Sequence, residues 1–189
     1  KVKVIIKRHG KKDASWTGDM LFAHREFTGP VMLAASRASE AGAEILINYT
    51  AGNDIERSEH ALEIIRSAMK RSGKALHTIA AEELGIPKRL ASVLTERAGS
   101  PEKLARLATE DSFKMTDAKA DLGKAMVTCG GIPLDKECGA DPKTLELARV
   151  PGCYAIGELL DVDGATGGYN LQFAYSSACA AADHIGEQM

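Results

Sequence analysis

Residues Thr166–Ala178 read TGGYNLQFAYSSA, two adjacent glycines followed by a stretch of helical periodicity that continues to Ile185. A Gly-Gly step just before Asn170 lets the backbone bend sharply into a helix. It also leaves the first N–H groups of that helix unpaired, so they direct partial positive charge at whatever lies in front. The helix is expected from about Asn170 to Ile185, with Leu171, Ala174, Ala178, Ala181, Ala182 and Ile185 on one face, small enough to lie close against a sheet. Two further glycine turns stand upstream: Gly130-Gly131 after the run Ala125–Cys129, and Gly157-Glu158 after Cys153–Ile156. Both runs read as strands, and a strand followed by a glycine turn is how α/β sheets present ligands at their carboxyl ends. Glu158 in that position is a candidate acceptor for ligand hydroxyls, because a carboxylate offers several lone pairs and donates nothing. The ordinary alternative is a surface carboxylate after a tight turn.

What is missing is as informative. No two of the 18 glycines stand two apart, so there is no G-x-G-x-x-G, and neither Gly73-Lys74 nor Gly123-Lys124 has the upstream glycine of a P-loop. A complete dinucleotide site is excluded. The chain has 189 residues, 44% apolar and 26% charged, with a net charge of -2, enough for one domain or two small ones. Apolar runs such as Val31–Ala35 fall far short of the roughly 20 residues that cross a bilayer, so no membrane span is expected. Cys129, Cys138, Cys153 and Cys179 show no C-x-x-C spacing and read as reduced cytoplasmic thiols, all but Cys138 as small hydrophobes. The histidines at 9, 24, 60, 77 and 184 form no ligand pair, and no metal site is expected.

Towards the amino terminus, KVKVIIK (Lys1–Lys7) alternates lysine with β-branched residues and reads as a strand, running into a polar hairpin or loop over Arg8–Ser15. Six Lys or Arg fall within the first twelve residues. The chain as a whole is slightly acidic and no aromatic residue interleaves them, so the reading is a solvated strand face and not a nucleic-acid surface. Met20–Ala23 reads as a short strand. Pro30 then opens a helix, apolar nearly all round and expected to be buried, that Gly42 ends, and Ala43–Thr50 reads as a third strand. Helices follow over Ser58–Ser72, from Pro87 to Gly99 and from Ser100-Pro101 onward, so residues 54–110 form a helical lobe.

The runs AMVTCGGIPL (Ala125–Leu134), VPGCYAIGELLDVDG (Val150–Gly164) and TGGYNLQFAYSSA, in this order and spacing, resemble the C-terminal FAD-binding signature of the YhiN/BaiN-type bacterial flavoproteins, the aminoacetone-oxidase-like family. GDMLFAHREFTGPVMLAAS (Gly18–Ser36) is similar to that family's G-E-L-L-F-T-H-x-G-x-S-G-P motif, in a domain inserted into the flavin fold. The sequence departs from the pattern at Cys153 for leucine, Ile156 for a small residue and Glu26 for glycine. The first two look like apolar packing changes, while Glu26 touches turn geometry or a pocket contact.

The resemblance implies an α+β chain. Residues 1–117 would be the inserted, substrate-side domain, a small β-sheet with the helical lobe. Residues 118–189 would be the C-terminal part of a two-dinucleotide-binding-type FAD α/β domain. Beginning at Lys1 without the G-x-G-x-x-G unit, the chain reads as a piece of something longer. By the same resemblance Gly130, Gly131, Gly157 and Gly167 would line the flavin site, and Glu158 would bind ribityl hydroxyls. The backbone of Gly168, Tyr169, Asn170 and Leu171 would face the N1 and C2 carbonyl edge of the isoalloxazine. His24 is a candidate substrate-side catalytic residue, set against a purely structural role, and Asp161 and Asp163 read as turn caps.

The implied parent is a cytoplasmic FAD-dependent oxidoreductase passing hydride between NAD(P)H or a small-molecule substrate and the flavin, and the isolated chain would be inactive. Homo-oligomerisation, or association with the missing N-terminal half, is expected from uncovered apolar surface. The alternative is a non-catalytic binding or assembly module.

Overall fold

The structure, a computed structural model, describes residues 1–24, 26–117, 129–165 and 167–188. The expected strand over Ala125–Cys129 lies outside them except for Cys129. The chain divides into two compact units, Lys1–Ala118 and Lys119–Met189.

In the first unit the alternation of KVKVIIK produces β1 (Val2–Arg8), which pairs antiparallel with β2 (Lys11–Gly18) and with β5 (Glu44–Asn48). A strand β6 (Asp111–Lys114) completes a four-stranded sheet in the order β2-β1-β5-β6. The hairpin expected over Arg8–Ser15 is present: the chain turns at His9-Gly10 and returns as β2, whose polar residues are held by backbone bonds to β1. Strands β3 (Leu21–Phe22) and β4 (Phe27–Thr28) make a small separate hairpin. Phe22 and Phe27 meet edge to face at 5.5 Å, and Phe27 meets Phe113 at 5.3 Å.

Helix α1 (Pro30–Ser36) starts on Pro30 as expected but ends six residues before Gly42, and only Val31 and Ala35 on it are buried. One apolar side is covered, not all of them. Helices α2 (Ser58–Arg71), α3 (Leu76–Glu83), α4 (Lys88–Ala98) and α5 (Pro101–Glu110) form the helical lobe. The Ser100 hydroxyl caps α5 by accepting the Lys103 N–H at 3.3 Å. Val4, Ile6 and Ile47 from one face of the sheet share a single core with Ile65, Ile79, Leu94 and Leu104 from the helices. Each such fully buried side chain contributes about 1.5–3 kcal/mol.

A polar cluster centred on Asp111 is buried in this unit, apart from the Asn48–Thr50 pair bonded to Ile55 O. The Asp111 carboxylate accepts two bonds from the Arg97 guanidinium, at 2.8 and 2.9 Å, and one from the Tyr49 hydroxyl at 3.0 Å. Burial first, then the neighbouring carboxylate, push the Tyr49 phenol far above its usual range. A phenol whose pKa rises on folding contributes stability that is complete below its unfolded-state value of about 10 and is lost as the pH climbs past it. The loss grows by about 1.4 kcal/mol per pH unit. Above about pH 10 the melting temperature of the protein is therefore expected to fall more steeply than that of Tyr49→Phe. Parallel pH profiles for the two proteins would contradict this.

The second unit has one long helix, α6 (Tyr169–Gln188), against a core of Ala140, Leu145, Ala155, Leu160 and Ala181. Cys153–Ile156, expected as a strand, holds only a single bridge, Glu146 to Tyr154. Two backbone bonds make that antiparallel bridge, Leu147 N–H to Cys153 O and Ala155 N–H to Leu145 O, while a turn precedes it, Cys153 N–H donating to Val150 O. The expected inward face of α6 holds only at its centre, with Ala181 buried and Ala174 and Ala178 half-buried. Leu171, Ala182 and Ile185 are exposed, and the buried residues are Ser177 and Ala181. The face is set by where the turn at Gly157 seats on the helix, not by which residues are most apolar. All four cysteines are exposed thiols outside any disulfide, not tucked among hydrophobes.

Candidate functional site

The three glycine turns meet through backbone and short side-chain bonds in the Lys119–Met189 unit. Ile132 N–H donates to Leu159 O at 2.9 Å and Asp161 N–H to Ile132 O at 2.8 Å, a parallel bridge that lays Gly131 on the backbone of 159–161. A Cβ on Gly131 would stand 2.7 Å from Leu159 O and 2.9 Å from Leu160 C, and its φ is 145°. Only glycine fits there.

Gly157–Leu159 is a 3-10 turn placed against Ala174 and Ser177, in the second and third turns of α6. Gly157 N–H donates to the Ser177 hydroxyl at 3.0 Å, and that hydroxyl donates to Ala174 O at 3.0 Å. The loop that follows is clamped to the start of the same helix: Gly164 N–H donates to Asn170 Oδ1 at 2.7 Å and Asn170 Nδ2 to Gly164 O at 3.3 Å. The Cys129 thiol lies 3.3 Å from Asp163 Oδ2. Segments 129–132, 157–164 and 167–171 are therefore neighbours, with α6 as their common support.

Gly167 and Gly168, with φ of 129° and 92°, turn the chain into α6. The bond from Gln172 N–H to Gly168 O opens the helical ladder, so the N–H groups of Tyr169, Asn170 and Leu171 have no intrahelical acceptor. Around this terminus the surface is apolar: Tyr169 is 64% exposed, Leu171 69% and Leu159 60%, with Ile156 also exposed. Glu158 is exposed in the first turn of the 3-10 segment.

Two residues that carry this arrangement were not singled out from the sequence as functional. Ser177 anchors the Gly157 turn, yet lies inside the quoted motif with nothing to mark it from Ser176. Gly164 is bound to Asn170, a pairing visible only in three dimensions. His24 belongs to the other unit, exposed in the turn between β3 and β4, where Ala23 N–H donates to Glu26 O at 2.9 Å. It is not a core histidine. A cavity of about 260 Å³ lined by Phe22, Tyr49, Asp19 and Asn53 adjoins that hairpin.

Thiolate chemistry is disfavoured at Cys138. Asp135 accepts from the Cys138 thiol at 3.1 Å and raises its pKa above the ordinary value, which disfavours the reactive thiolate. Asp135 itself is held below the usual carboxylate range, first by the Glu137 N–H. Among the described residues no group of three or more His, Cys, Asp or Glu is placed to hold a metal ion, and no helix is long and apolar enough to cross a membrane.

Comparison with known proteins gives a family. The HI0933-like protein Rossmann domain matches residues 38–184. The ribosomal RNA dihydrouridine synthase of Escherichia coli is 30% identical over 173 residues, 88% of this chain and 42% of that protein. The protein of the same name from Haemophilus influenzae is 48% identical over 64 residues, 34% of this chain and 15% of that protein. A 3-dehydro-bile acid delta(4,6)-reductase of Clostridium scindens is 45% identical over 53 residues, 28% of this chain and 12% of that protein. The chain thus spans well under half the length of these relatives. With most of its residues inside the matched region, the chain belongs to the HI0933-like Rossmann-domain family of FAD-binding flavoproteins.

Proposed function

We propose that the Lys119–Met189 unit supplies the ribityl and isoalloxazine side of an FAD site, as in the YhiN/BaiN-type flavoproteins, within a reductase that draws electrons from NAD(P)H. The observation that carries the proposal is the joining of three glycine turns at the α6 N-terminus. The fit rests on the chain's own backbone. A Cβ on Gly130 or Gly168 would meet no protein atom within 4 Å, although both have positive φ, so a bare backbone is presented there to open space. The N–H groups of Tyr169, Asn170 and Leu171, with the positive end of the α6 dipole, suit an electron-rich carbonyl edge. The Glu158 carboxylate can accept hydroxyl protons, and exposed Leu159, Tyr169 and Leu171 offer an apolar wall.

When bound, FAD supplies two-electron transfer. The residues of this chain bind and orient it, and the helix terminus favours negative charge at the ring edge by about 1 kcal/mol. The names of the relatives denote reductions, one yielding dihydrouridine in ribosomal RNA, the other acting on a 3-dehydro-bile acid. A reduction of an electron-poor double bond is therefore the activity we assign to the whole protein, with His24 on the substrate side.

Gly168→Val places a branched side chain at φ 92° in that open space. We expect it to weaken FAD binding at least about tenfold, roughly 1.4 kcal/mol, while hydrogen exchange of the Ala140 and Ala155 amides stays as in the parent. Unchanged FAD affinity would remove Gly168 from the site.

An assembly role is favoured by a different observation. Leu171, Tyr175 and Ile185, on one side of α6, are exposed, and Rossmann sheets need helices packed on both faces. We assign that side to association with the remainder of the flavin fold or with a second copy. Gel filtration of the yellow and colourless fractions distinguishes the two.

A further inference from the structure

Asparagine is among the strongest helix-capping residues, yet the position before Tyr169 is held by Gly168, which has no side chain, and Asn170 lies inside the first turn of α6. Its amide is used elsewhere. Asn170 Oδ1 accepts the Gly164 N–H at 2.7 Å, and Asn170 Nδ2 donates to Gly164 O at 3.3 Å. This two-way bond needs a side chain that both accepts and donates, which an ionised aspartate of the same shape does not. The fit is close. A Cβ on Gly164 would stand 2.9 Å from Asn170 Oδ1 and 3.1 Å from the Tyr169 Cβ, so a side chain at 164 would push the amide out of its bonds.

From Gly164 the connection continues. Asp163, the preceding residue, has its Oδ2 3.3 Å from the Cys129 thiol, and Cys129 leads directly into Gly130. The Asn170 amide therefore stands between the start of α6, which carries Gly168, and the segment that carries Gly130. These are two glycines at which a Cβ would meet no protein atom within 4 Å. The other end of the same loop is fixed further along the helix, where Gly157 N–H donates to the Ser177 hydroxyl at 3.0 Å. With both ends held, the loop cannot slide along α6 without breaking one anchor.

We infer that Asn170 is a positioning residue: its side chain fixes the spacing between the bare backbones of Gly130 and Gly168, so that FAD meets both surfaces already formed. The inference rests on the flavin reading of this site and adds a role that the backbone of Asn170 does not supply. Holding a binding surface in its bound arrangement raises affinity by removing the cost of ordering it.

The test uses the full-length protein titrated with FAD. Asn170→Ala is expected to speed amide exchange at Gly164 and to weaken FAD binding about tenfold. Gly164→Ala breaks the same contact from the other side and should do likewise. The double variant is expected to lose no more than either single one, because both remove one interaction. Asn170→Asp keeps an acceptor for the Gly164 N–H and adds a charge at the start of α6. It should retain Gly164 protection while holding reduced FAD about tenfold less tightly relative to oxidised FAD, a potential about 30 mV lower. A purely structural Asn170 would leave the potential unmoved. If an alanine variant loses exchange protection at Ala140 and Ala155, and so its fold, Asn170→Asp decides alone. Unchanged FAD affinity in the folded single variants, losses that multiply in the double variant, or an unmoved potential in Asn170→Asp overturns the proposal. A parent protein that takes up no FAD removes the flavin reading and this one with it, whereas FAD held equally by the parent and Asn170→Ala removes this one alone.

Discussion

Gly139→Ala is expected to destabilise the Lys119–Met189 unit by about 3 kcal/mol, at the severe end for one added methyl group. The new Cβ would stand 1.9 Å from the carbonyl oxygen of Pro133 and 2.8 Å from its carbon. Those are backbone atoms, so no rotamer change relieves the overlap. The same carbonyl accepts the Ala140 N–H at 2.9 Å, while Gly139 itself donates to Asp135 O at 3.0 Å and accepts from Ala148 N–H at 2.9 Å. Moving the Pro133 peptide therefore disturbs three backbone bonds around the small core of Ala140, Leu145 and Leu160, each worth about 1 kcal/mol. Amide exchange at Ala140, Leu145 and Ala155 is the direct readout. Protection at these sites should fall by about two powers of ten, and protection retained within a factor of a few would mean that Pro133 and Gly139 are not in this contact.

The second large effect belongs to the other unit. The Asp111 side chain is 2% exposed, and its carboxylate holds both Arg97 and Tyr49. Asp111→Ala leaves the Tyr49 hydroxyl buried without its acceptor and the guanidinium without its counter-charge. Breaking a buried pair costs about 3–5 kcal/mol. Arg97 is 45% exposed and can recover water, so the lower limit, about 3 kcal/mol, is expected. Loss should be concentrated where Asp111 pairs with Ile47 at the junction of β5 and β6. Thermal unfolding followed with amide exchange at Ile47 and Tyr49 checks it, and a change below about 1 kcal/mol would show that the cluster contributes little.

The elements legible in the sequence were those whose side chains bury on a regular period or whose ends carry a cap. The alternation of Val2, Val4 and Ile6, the apolar spacing of Ala61, Ile65 and Ala68, and the Ser100-Pro101 start all specify their structure locally. Strands β2 and β6 read KKDASWTG and DSFK and have no such period. Their neighbours β1 and β5 hold them by backbone bonds that any sequence can make. The reverse occurred at Cys153–Ile156, where a locally strand-like run makes one antiparallel bridge to Glu146 and then enters the 3-10 turn at Gly157.

At the candidate site, positions needing glycine were visible because few residues accept such φ values, and the helix start was visible from Gly167-Gly168. The joining of the turns was not visible. It depends on bonds such as Gly157 to Ser177 and Ile132 to Leu159, across 20 residues or more, which no local pattern encodes.

Whether these turns hold a flavin is decided most directly by purifying the full-length polypeptide, desalting it, and quantifying by mass and visible absorbance any flavin released on denaturation. FAD in near-equal molar amount to protein, or uptake of added FAD to that level, is the expected result, with Gly168→Val retaining much less. A full-length protein that is folded and colourless and takes up no added FAD would contradict the account.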